Sequence, residues 1–203
     1  MRKRRDKVVL KIPGDMYAGA GQPGFDDGLL RHVVSEIAHC YRMCPLQQMA
    51  IVVGGSIHGK HLSEDLISVV EADELGMVST IINAKLLSGA LSRCQKINAR
   101  VVSALPIAYA EMYVRTKVAR KLPDERLVII AGGLGRPGFT TDLAAVTFGI
   151  ELGVQVVLRA TGLGATERPM DPFAQRQASA SNLEVIEFDL SLEGSLYKML
   201  TSG

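Results

Sequence analysis

The residues best suited to chemistry lie in a glycine-rich stretch, AGGLGRPGFTTDLAA, at residues 131–145. It follows the apolar run RLVII and opens a predicted helix. Backbone N–H groups in such loops, and at the helix start behind them, bind phosphate oxygens well. Thr140 or Thr141 can also cap the helix, with Asp142 in its first turn, where a carboxylate is favourable. Capping alone would account for these polar residues, so both interpretations stay open.

Two more glycine turns follow apolar runs, Gly14 after VVLKI and the pair Gly54 and Gly55 after QMAIVV. If these runs are parallel strands, their carboxyl ends share one sheet edge, and the turns form a concave surface lined by N–H groups. The chain contains neither GxxxxGK[ST] nor a complete GxGxxG, so the P-loop and the dinucleotide fingerprint do not apply. Lys11 lies inside the first apolar run. It either contacts phosphate at this edge or alternates outward to solvent.

Length, charge and cysteine content argue against several classes of protein. A length of 203 residues fits one domain, and a net charge of +2 gives no basic field for nucleic acid. The RKRR cluster at residues 2–5 favours a solvated tail. We expect no membrane span or signal peptide, and a cytoplasmic location. The three cysteines, Cys40, Cys44 and Cys94, are expected to be thiols without a metal.

Strands and helices alternate along the chain, which predicts an α/β fold around a mainly parallel sheet. The predicted strands cover residues 8–12, 48–55, 99–105, 126–133, 154–161 and 183–190. The predicted helices cover residues 28–43, 63–94 (one helix, or two joined at Gly76), 108–122, 140–153 and a last turn at 195–200. Residues 168–182 read as polar and irregular. Ligands of such sheets bind beyond the carboxyl ends of the strands.

Several segments together resemble one family. They are VVLKIPGD, IVVGGS, ADELGMVSTIINAKLLSGAL, ARVVSALP, AGGLGRPGFTTDLAA and GIELGVQVVLRAT. In this order they are similar to segments of the bacterial uridylate (UMP) kinases, members of the amino acid kinase superfamily. The resemblance covers most of residues 7–172, and GxGxPxFTTDxAA and DxxGMxxTxxN are its most specific parts. It implies a three-layer αβα sandwich in a single domain, residues 1–203, with the acceptor nucleotide on residues 7–155 and ATP on a shortened part, residues 156–203.

The resemblance also implies roles for individual residues. The catalytic pair would be Lys11, which neutralises charge on the transferring phosphoryl group, and Asp142, which organises the transfer centre. Acceptor contacts would come from Gly55, Asp73, Gly135, Arg136, Thr140 and Thr141. Donor contacts would come from Gly14, Gly54, Ser56, Lys60, Thr161 and Asp171. The implied ligands are UMP or a related monophosphate and ATP with Mg²⁺, without a dedicated metal site. A homo-oligomer, a hexamer built as a trimer of dimers, is implied, and residues 28–43 are the candidate dimer surface.

The chain departs from the family pattern mainly on the donor side. Pro13 stands in place of a serine, which removes a hydroxyl and an N–H from the phosphate loop. Gly162 stands where a lysine is expected, and Gly164 replaces an aspartate. Arg136 replaces an asparagine beside the acceptor. The last strand is expected after only a short polar link, so part of the ATP-binding lobe is expected to be absent.

Three functions remain open on this sequence. The first is an active kinase for UMP or a related monophosphate, favoured by Lys11 and Asp142. The second is an inactive, nucleotide-binding pseudokinase with a regulatory or scaffolding role, favoured by the donor-side losses. The third is a relative of the molybdate/tungstate storage proteins. For that function His58 and His61 could bind an oxyanion or a metal, although solvated loop histidines are the simpler interpretation.

Overall fold

The computed structural model describes residues 6–17, 24–55, 66–162 and 169–202. Its strands are β1 (Lys7–Ile12), β2 (Gln48–Val53), β3 (Arg100–Ser103), β4 (Glu111–Met112), β5 (Leu127–Ala131), β6 (Val156–Thr161) and β7 (Glu184–Asp189). They form one sheet in the order β4-β3-β5-β2-β1-β6-β7, and every strand pairing within the described residues is parallel. The glycine turns after β1, β2 and β5 therefore share one edge of the sheet, as predicted.

Helices cover both faces of this sheet. They are α1 (Asp27–Met43), α2 (Val69–Gln95), α3 (Arg115–Glu125), α4 (Thr141–Leu152), α5 (Pro172–Ala180) and α6 (Ser195–Thr201), and a 3₁₀ turn covers Gly14–Tyr17. One apolar layer joins the sheet to α1, α2 and α6, and a second joins it to α3 and α4, with α5 packed against α4. The predicted α/β fold, a three-layer sandwich on a parallel sheet, is confirmed.

Strand alternation decides which residues enter which layer. In β1, Val8, Leu10 and Ile12 pack toward α1 and α2, whereas Val9 packs toward α4. All four side chains are fully buried, as expected for a strand covered on both faces. The next side chain on the α4 face after Val9 is Lys11, because successive side chains alternate between faces. A charged residue thus lies in an otherwise apolar layer.

Two predicted elements differ from the observed ones. Residues 108–122 were expected to form one helix, but the short strand β4 comes first and α3 begins only at Arg115. Residues 168–182 were expected to be irregular, but they contain α5, which Asp171 caps and Pro172 opens. The final strand therefore follows a helix rather than a simple polar link. Of the two alternatives for residues 63–94, the structure has the single helix, since α2 runs through Gly76 without interruption.

The long helix α2 packs against the glycine turns after β2 and β5. It is 27 residues long and starts with a capping box between Ser68 and Glu71. By length and composition alone it could cross a membrane. However, Leu87 and Leu91 are fully buried against the sheet, and the polar residues Thr80 and Asn83 are buried as well. These features are those of a helix that packs on a protein core.

β1 and β6 lie side by side in the sheet, and the connections that follow them run toward opposite ends of the sheet. The connection after β1 continues into α1 on one face, and the connection after β6 continues into α5 on the other face. Adjacent strands whose connections leave to opposite faces open a crevice at their carboxyl ends, where ligands of such sheets bind. The fold thus places its natural ligand site beside Lys11.

Candidate active site

Lys11 and Asp142 form a buried ion pair at this crevice. Lys11 reaches from β1 toward α4, and its Nζ lies 2.8 Å from Oδ1 of Asp142. The two side chains are only 8% and 10% exposed, so outward alternation of Lys11 is excluded. Thr140 caps α4 by accepting a hydrogen bond from the N–H of Leu143 at 3.2 Å, which places Asp142 in the first turn. The capping interpretation of this stretch therefore holds for Thr140, and the neighbouring Asp142 forms the ion pair with Lys11.

A second buried cation, Arg159, contacts the same carboxylate. Arg159 lies on β6 directly across from Lys11 in the β1–β6 register. Its Nε lies 3.2 Å from Oδ2 of Asp142, and its guanidinium also lies 2.9 Å from Oε1 of Glu187 on β7. The sequence reasoning missed Arg159 and Glu187. The signal was present, since Arg159 interrupts an apolar strand as Lys11 does.

The surroundings of Asp142 keep it ionised. Burial alone would raise the pKa of this carboxyl group. The charge of Lys11 and its hydrogen bond, the charge of Arg159 and the backbone N–H of Asp171 outweigh that effect and hold the pKa below its ordinary value. Asp142 is therefore a carboxylate at neutral pH and serves as an anchor for two cations. A carboxylate held in this way is a poor general base.

The starts of α4 and α5 meet beside this ion cluster. The hydroxyl of Thr140 donates a hydrogen bond to Asp171, which in turn caps α5 by accepting from the N–H of Phe173 at 2.8 Å. The backbone N–H of Asp171 points to Oδ2 of Asp142 at 3.5 Å. Thr140 was predicted on the acceptor side and Asp171 on the donor side. Their contact brings the two predicted halves of the site together, next to two helix N-termini that favour anions.

The glycines after β1 and β2 allow two close backbone approaches. A Cβ on Gly54 would lie 2.6 Å from the backbone nitrogen of Gly14, and a Cβ on Gly55 would lie 2.4 Å from the carbonyl oxygen of Gly76 in α2. Real side chains do not fit at such distances, so both positions require glycine. The first and second glycine turns are thus packed against each other and against α2.

Residues of the DxxGMxxTxxN motif on α2 hold the glycine turns in place. The hydroxyl of Thr80 accepts from the N–H of Gly132 at 2.6 Å, and the side-chain amide of Asn83 donates to the carbonyl of Gly54 at 2.8 Å. Asp73, at the start of the helix, accepts from the N–H of Gly138 at 2.7 Å. One helix therefore organises the turns after β2 and β5. The polar pair Thr80 and Asn83 in an apolar helix was the signal for this role.

The loop after β5 has a defined shape. Gly132 and Gly135 have φ values of +82° and +74°, a region that other residues rarely adopt, and a Cβ on Gly135 would lie 2.9 Å from the carbonyl oxygen of Ala104. The N–H of Gly135 donates to the carbonyl of Gly132 at 2.8 Å. Arg136 is exposed at the tip of this loop, and Thr141 at its end is half-buried. Both could reach a ligand in the crevice.

Close contacts surround the end of β6, which was predicted to lie on the donor side. The hydroxyl of Thr161 donates to the carbonyl of Phe188 at 3.0 Å, and Gly162 follows with φ +86°. A Cβ on Gly162 would lie 1.9 Å from Oδ1 of Asp189, which is itself held by the N–H of Ser191 at 2.8 Å. The position where the resemblance expects a lysine is therefore already filled by a neighbouring carboxylate.

Some sequence predictions cannot be placed. Ser56, Lys60, His58 and His61 lie outside the described residues. Within the described residues no group of three or more His, Cys, Asp or Glu side chains could hold a metal ion.

The candidate dimer surface on residues 28–43 has a simpler explanation. The apolar positions of α1, among them Val33, Val34 and Ile37, are buried in the core of the chain. Its exposed positions are mainly polar: Asp27, Arg31, Ser35, His39 and Arg42. The apolar pattern that suggested an interface is therefore accounted for by packing within the chain.

Comparisons with known proteins agree with this fold. Residues 6–164 match the amino acid kinase family. The chain is 38% identical over 187 residues to the uridylate kinase of Frankia alni, covering 89% of this chain and 72% of that protein. It is 37% identical over 190 residues to the uridylate kinase of Frankia casuarinae, covering 90% and 73%. The crystal structure of UMP kinase from Bacillus anthracis superimposes with a TM-score of 0.87 at 25% identity, covering 100% of this chain and 94% of that one. The chain therefore belongs to the amino acid kinase family, in its uridylate kinase group.

Proposed function

We propose that this protein transfers a phosphoryl group from Mg·ATP to UMP or a related nucleoside monophosphate. The observation that carries the proposal is the buried Lys11–Asp142 ion pair, which lies at the edge of the sheet where the glycine turns end. Membership of the uridylate kinase group supports the substrate class.

The chemistry needs positioning and charge more than proton transfer. In the reaction, the bond between the γ-phosphorus of ATP and its bridging oxygen breaks, and a phosphate oxygen of UMP forms the new bond, giving ADP and UDP. That attacking oxygen is already ionised, so no general base is required. A carboxylate fixed between two cations, as Asp142 is, suits this reaction. Lys11 offsets negative charge on the transferring group, and its burial strengthens that interaction.

We assign the acceptor mainly to the loop after β5, with Gly55 and Asp73 beside it, and the donor mainly to the turns after β1, β2 and β6 and the start of α5. On the acceptor side, the proposed contacts are Gly55, Asp73, Gly135, Arg136, Thr140 and Thr141. On the donor side, they are Gly14, Gly54, Ser56, Lys60, Thr161 and Asp171. The Thr140–Asp171 hydrogen bond supports this arrangement, because it joins the two sets at the point where the phosphates would meet.

Mg²⁺ would enter as part of the donor substrate. Mg²⁺ is commonly held by one or two carboxylates together with substrate phosphates, rather than by a cage made only of protein. Asp171, which caps α5 beside the ion cluster, is suited to support such an ion, whereas Asp142 already faces two cations. The metal would neutralise charge on the ATP phosphates when bound.

One observation favours the second candidate function, nucleotide binding without transfer. Asp189 occupies the space beside Gly162 in which a donor-side lysine would lie. A negative charge at this place weakens binding of ATP phosphates, while the acceptor loop and Asp73 retain their arrangement. An inactive protein that binds UMP would have this pattern.

The test is ³¹P NMR of the purified protein with Mg·ATP and each nucleoside monophosphate in turn, with Lys11→Ala as the control variant. We expect resonances of ADP and UDP with UMP, and their loss in Lys11→Ala. Unchanged ATP resonances with every acceptor would overturn the kinase proposal. Binding of UMP in the same samples, followed by calorimetry, would then support the non-catalytic function.

We also propose that the chain pairs with a second copy through α2. Leu75, Val78 and Ile82 form an exposed apolar ridge on this helix, with exposures of 42%, 47% and 46%. The exposed Glu71 and Arg93 lie at equal distances along the helix on either side of Ile82. In an antiparallel pair centred on Ile82, the two Ile82 side chains would meet and each Glu71 would face an Arg93. Assembly of such dimers into a hexamer, and a cytoplasmic location, remain predictions of the resemblance.

A further inference from the structure

Arg159 is a buried charged residue to which the resemblance gave no role. It is 7% exposed and lies in β6, between the fully buried Leu158 and the almost fully buried Ala160. Placing a guanidinium in an apolar strand is costly unless its charge is matched and its N–H groups are satisfied. Arg159 meets this condition through two carboxylates on different elements, Asp142 on α4 and Glu187 on β7.

The two carboxylate oxygens of Asp142 contact different cations. Oδ1 faces Nζ of Lys11 at 2.8 Å, and Oδ2 faces Nε of Arg159 at 3.2 Å. The rigid, planar guanidinium is held at its other side by Glu187 at 2.9 Å, so Arg159 cannot rotate without losing a partner. The orientation of the Asp142 carboxylate is therefore fixed from both sides, and with it the place of Lys11.

The charges of the cluster matter as much as its shape. Lys11 and Asp142 alone would form a neutral pair, which offers little to a phosphoryl group that carries negative charge. Because Arg159 contacts the same carboxylate, the buried part of the cluster contains two positive charges and one negative charge. Glu187 balances the excess positive charge only from a side chain that is 51% exposed and screened by water. In this chain the second cation beside Asp142 is Arg159.

We propose that Arg159 is a positioning residue of the transfer centre. It holds the Asp142 carboxylate between β1 and β6, so that Lys11 points at the transferred phosphoryl group with its charge only partly neutralised. It acts through Asp142 and not by contact with the nucleotides. This inference rests on the proposed kinase function and adds a residue to it.

The activity test compares Arg159→Met, which removes the charge, with Arg159→Lys, which keeps it. Arg100→Met is the matched control, because Arg100 is also a strand arginine between two carboxylates, Glu111 and Glu125, on a strand away from the crevice. We expect kcat of Arg159→Met to fall about 100-fold, as when a reacting group is misplaced, with little change in KM for UMP. Arg159→Lys should recover most of the loss, and Arg100→Met should keep the kcat of the wild type. An unchanged kcat in folded Arg159→Met would overturn the inference.

A second readout does not depend on activity. The pKa of the Asp142 carboxyl group can be followed by ¹³C NMR with labelled aspartate. The charged groups around it are Lys11 from β1, Arg159 from β6 and Glu187 from β7, with the N–H of Asp171 from the start of α5.

Loss of Arg159 should raise the pKa of Asp142, whereas loss of Arg100 should leave it unchanged. If the pKa of Asp142 is the same in Arg159→Met and in the wild type, the positioning role is wrong whether or not the protein is a kinase. An inactive wild-type protein in which the pKa does depend on Arg159 would overturn the proposed reaction, and would support the contact by which Arg159 holds Asp142.

Discussion

Two cations on opposite oxygens of Asp142 make this carboxylate a structural anchor as well as a part of the site. Removing its charge in Asp142→Asn leaves Lys11 and Arg159 buried without their shared partner. We expect a loss of about 3–5 kcal/mol in the free energy of unfolding, typical of a broken buried ion pair. Urea unfolding at neutral pH measures this loss.

The same variant tests how stability depends on pH. The pKa of Asp142 is depressed in the folded protein, so its contribution is complete above its ordinary value of 3.8 and is lost as the pH falls toward the folded value. The difference between wild type and Asp142→Asn should therefore be constant from neutral pH to about pH 5 and shrink below about pH 4. Curves that stay parallel down to pH 3 would contradict the depressed pKa.

Thr80 contributes a single hydrogen-bond acceptor to the loop after β5, and a substitution can test what this hydrogen bond contributes to stability. Thr80→Val keeps the shape of the side chain but leaves the buried N–H of Gly132 without its partner, which costs about 1–3 kcal/mol. We also expect KM for UMP to rise, because the loop proposed to bind the acceptor loses its support. Thr80→Ser keeps the oxygen and should retain both properties. If Thr80→Ser is impaired and Thr80→Val is not, the methyl group and not the hydroxyl is what matters.

The sequence identified part of this cluster and missed the rest for a physical reason. Lys11 and Asp142 stand out because each is a charged residue next to a glycine turn or a helix start. Arg159 interrupts its strand in the same way, but its partner Glu187 lies on β7, far along the chain. Only the β1–β6 register shows that Lys11 and Arg159 are neighbours. Register depends on tertiary packing, which the pattern of a single strand does not specify.

At the level of elements, α2 is the support for the glycine turns, and its contact with Gly55 is a sharp test. Gly55→Ala places a Cβ 2.4 Å from the carbonyl oxygen of Gly76, so α2 and the turn after β2 must separate. We expect lower stability and a higher KM for both nucleotides, measured by thermal unfolding and steady-state kinetics. Gly89→Ala on the same helix meets nothing within 4 Å and should be neutral or stabilising by up to about 1 kcal/mol. Equal effects of the two changes would show that the close approach is unimportant.

The elements that sequence patterns missed are those with few large apolar side chains. In α5 the buried residues are Ala174 and Ala178, too small to give a clear helical period. Its real signals were Asp171 as N-cap and Pro172 at the first helical position. The strand β4 has only two residues and pairs through Val102 and Ser103 of β3, so nothing local distinguishes it from a loop. The long apolar strands, by contrast, were predicted with nearly correct bounds.

For the whole molecule, the exposed ridge of α2 predicts a dimer. Ile82→Glu places two like charges at the centre of an antiparallel pair, and we expect the mass in light scattering after size exclusion to fall. Ser35→Glu on the polar face of α1 should leave the mass unchanged. A drop in mass with Ser35→Glu and none with Ile82→Glu would return the interface to α1, where the sequence first suggested it.

Because Asp73, Thr80 and Asn83 tie two loops to one helix, ordering either loop limits the freedom of the other. If the two loops bind the two nucleotides as proposed, the first nucleotide to bind bears most of the entropic cost of ordering both loops. The second should bind more tightly than it would alone, in either order, by the same factor. On this proposal, α2 couples the binding of the two substrates before the phosphoryl group is transferred.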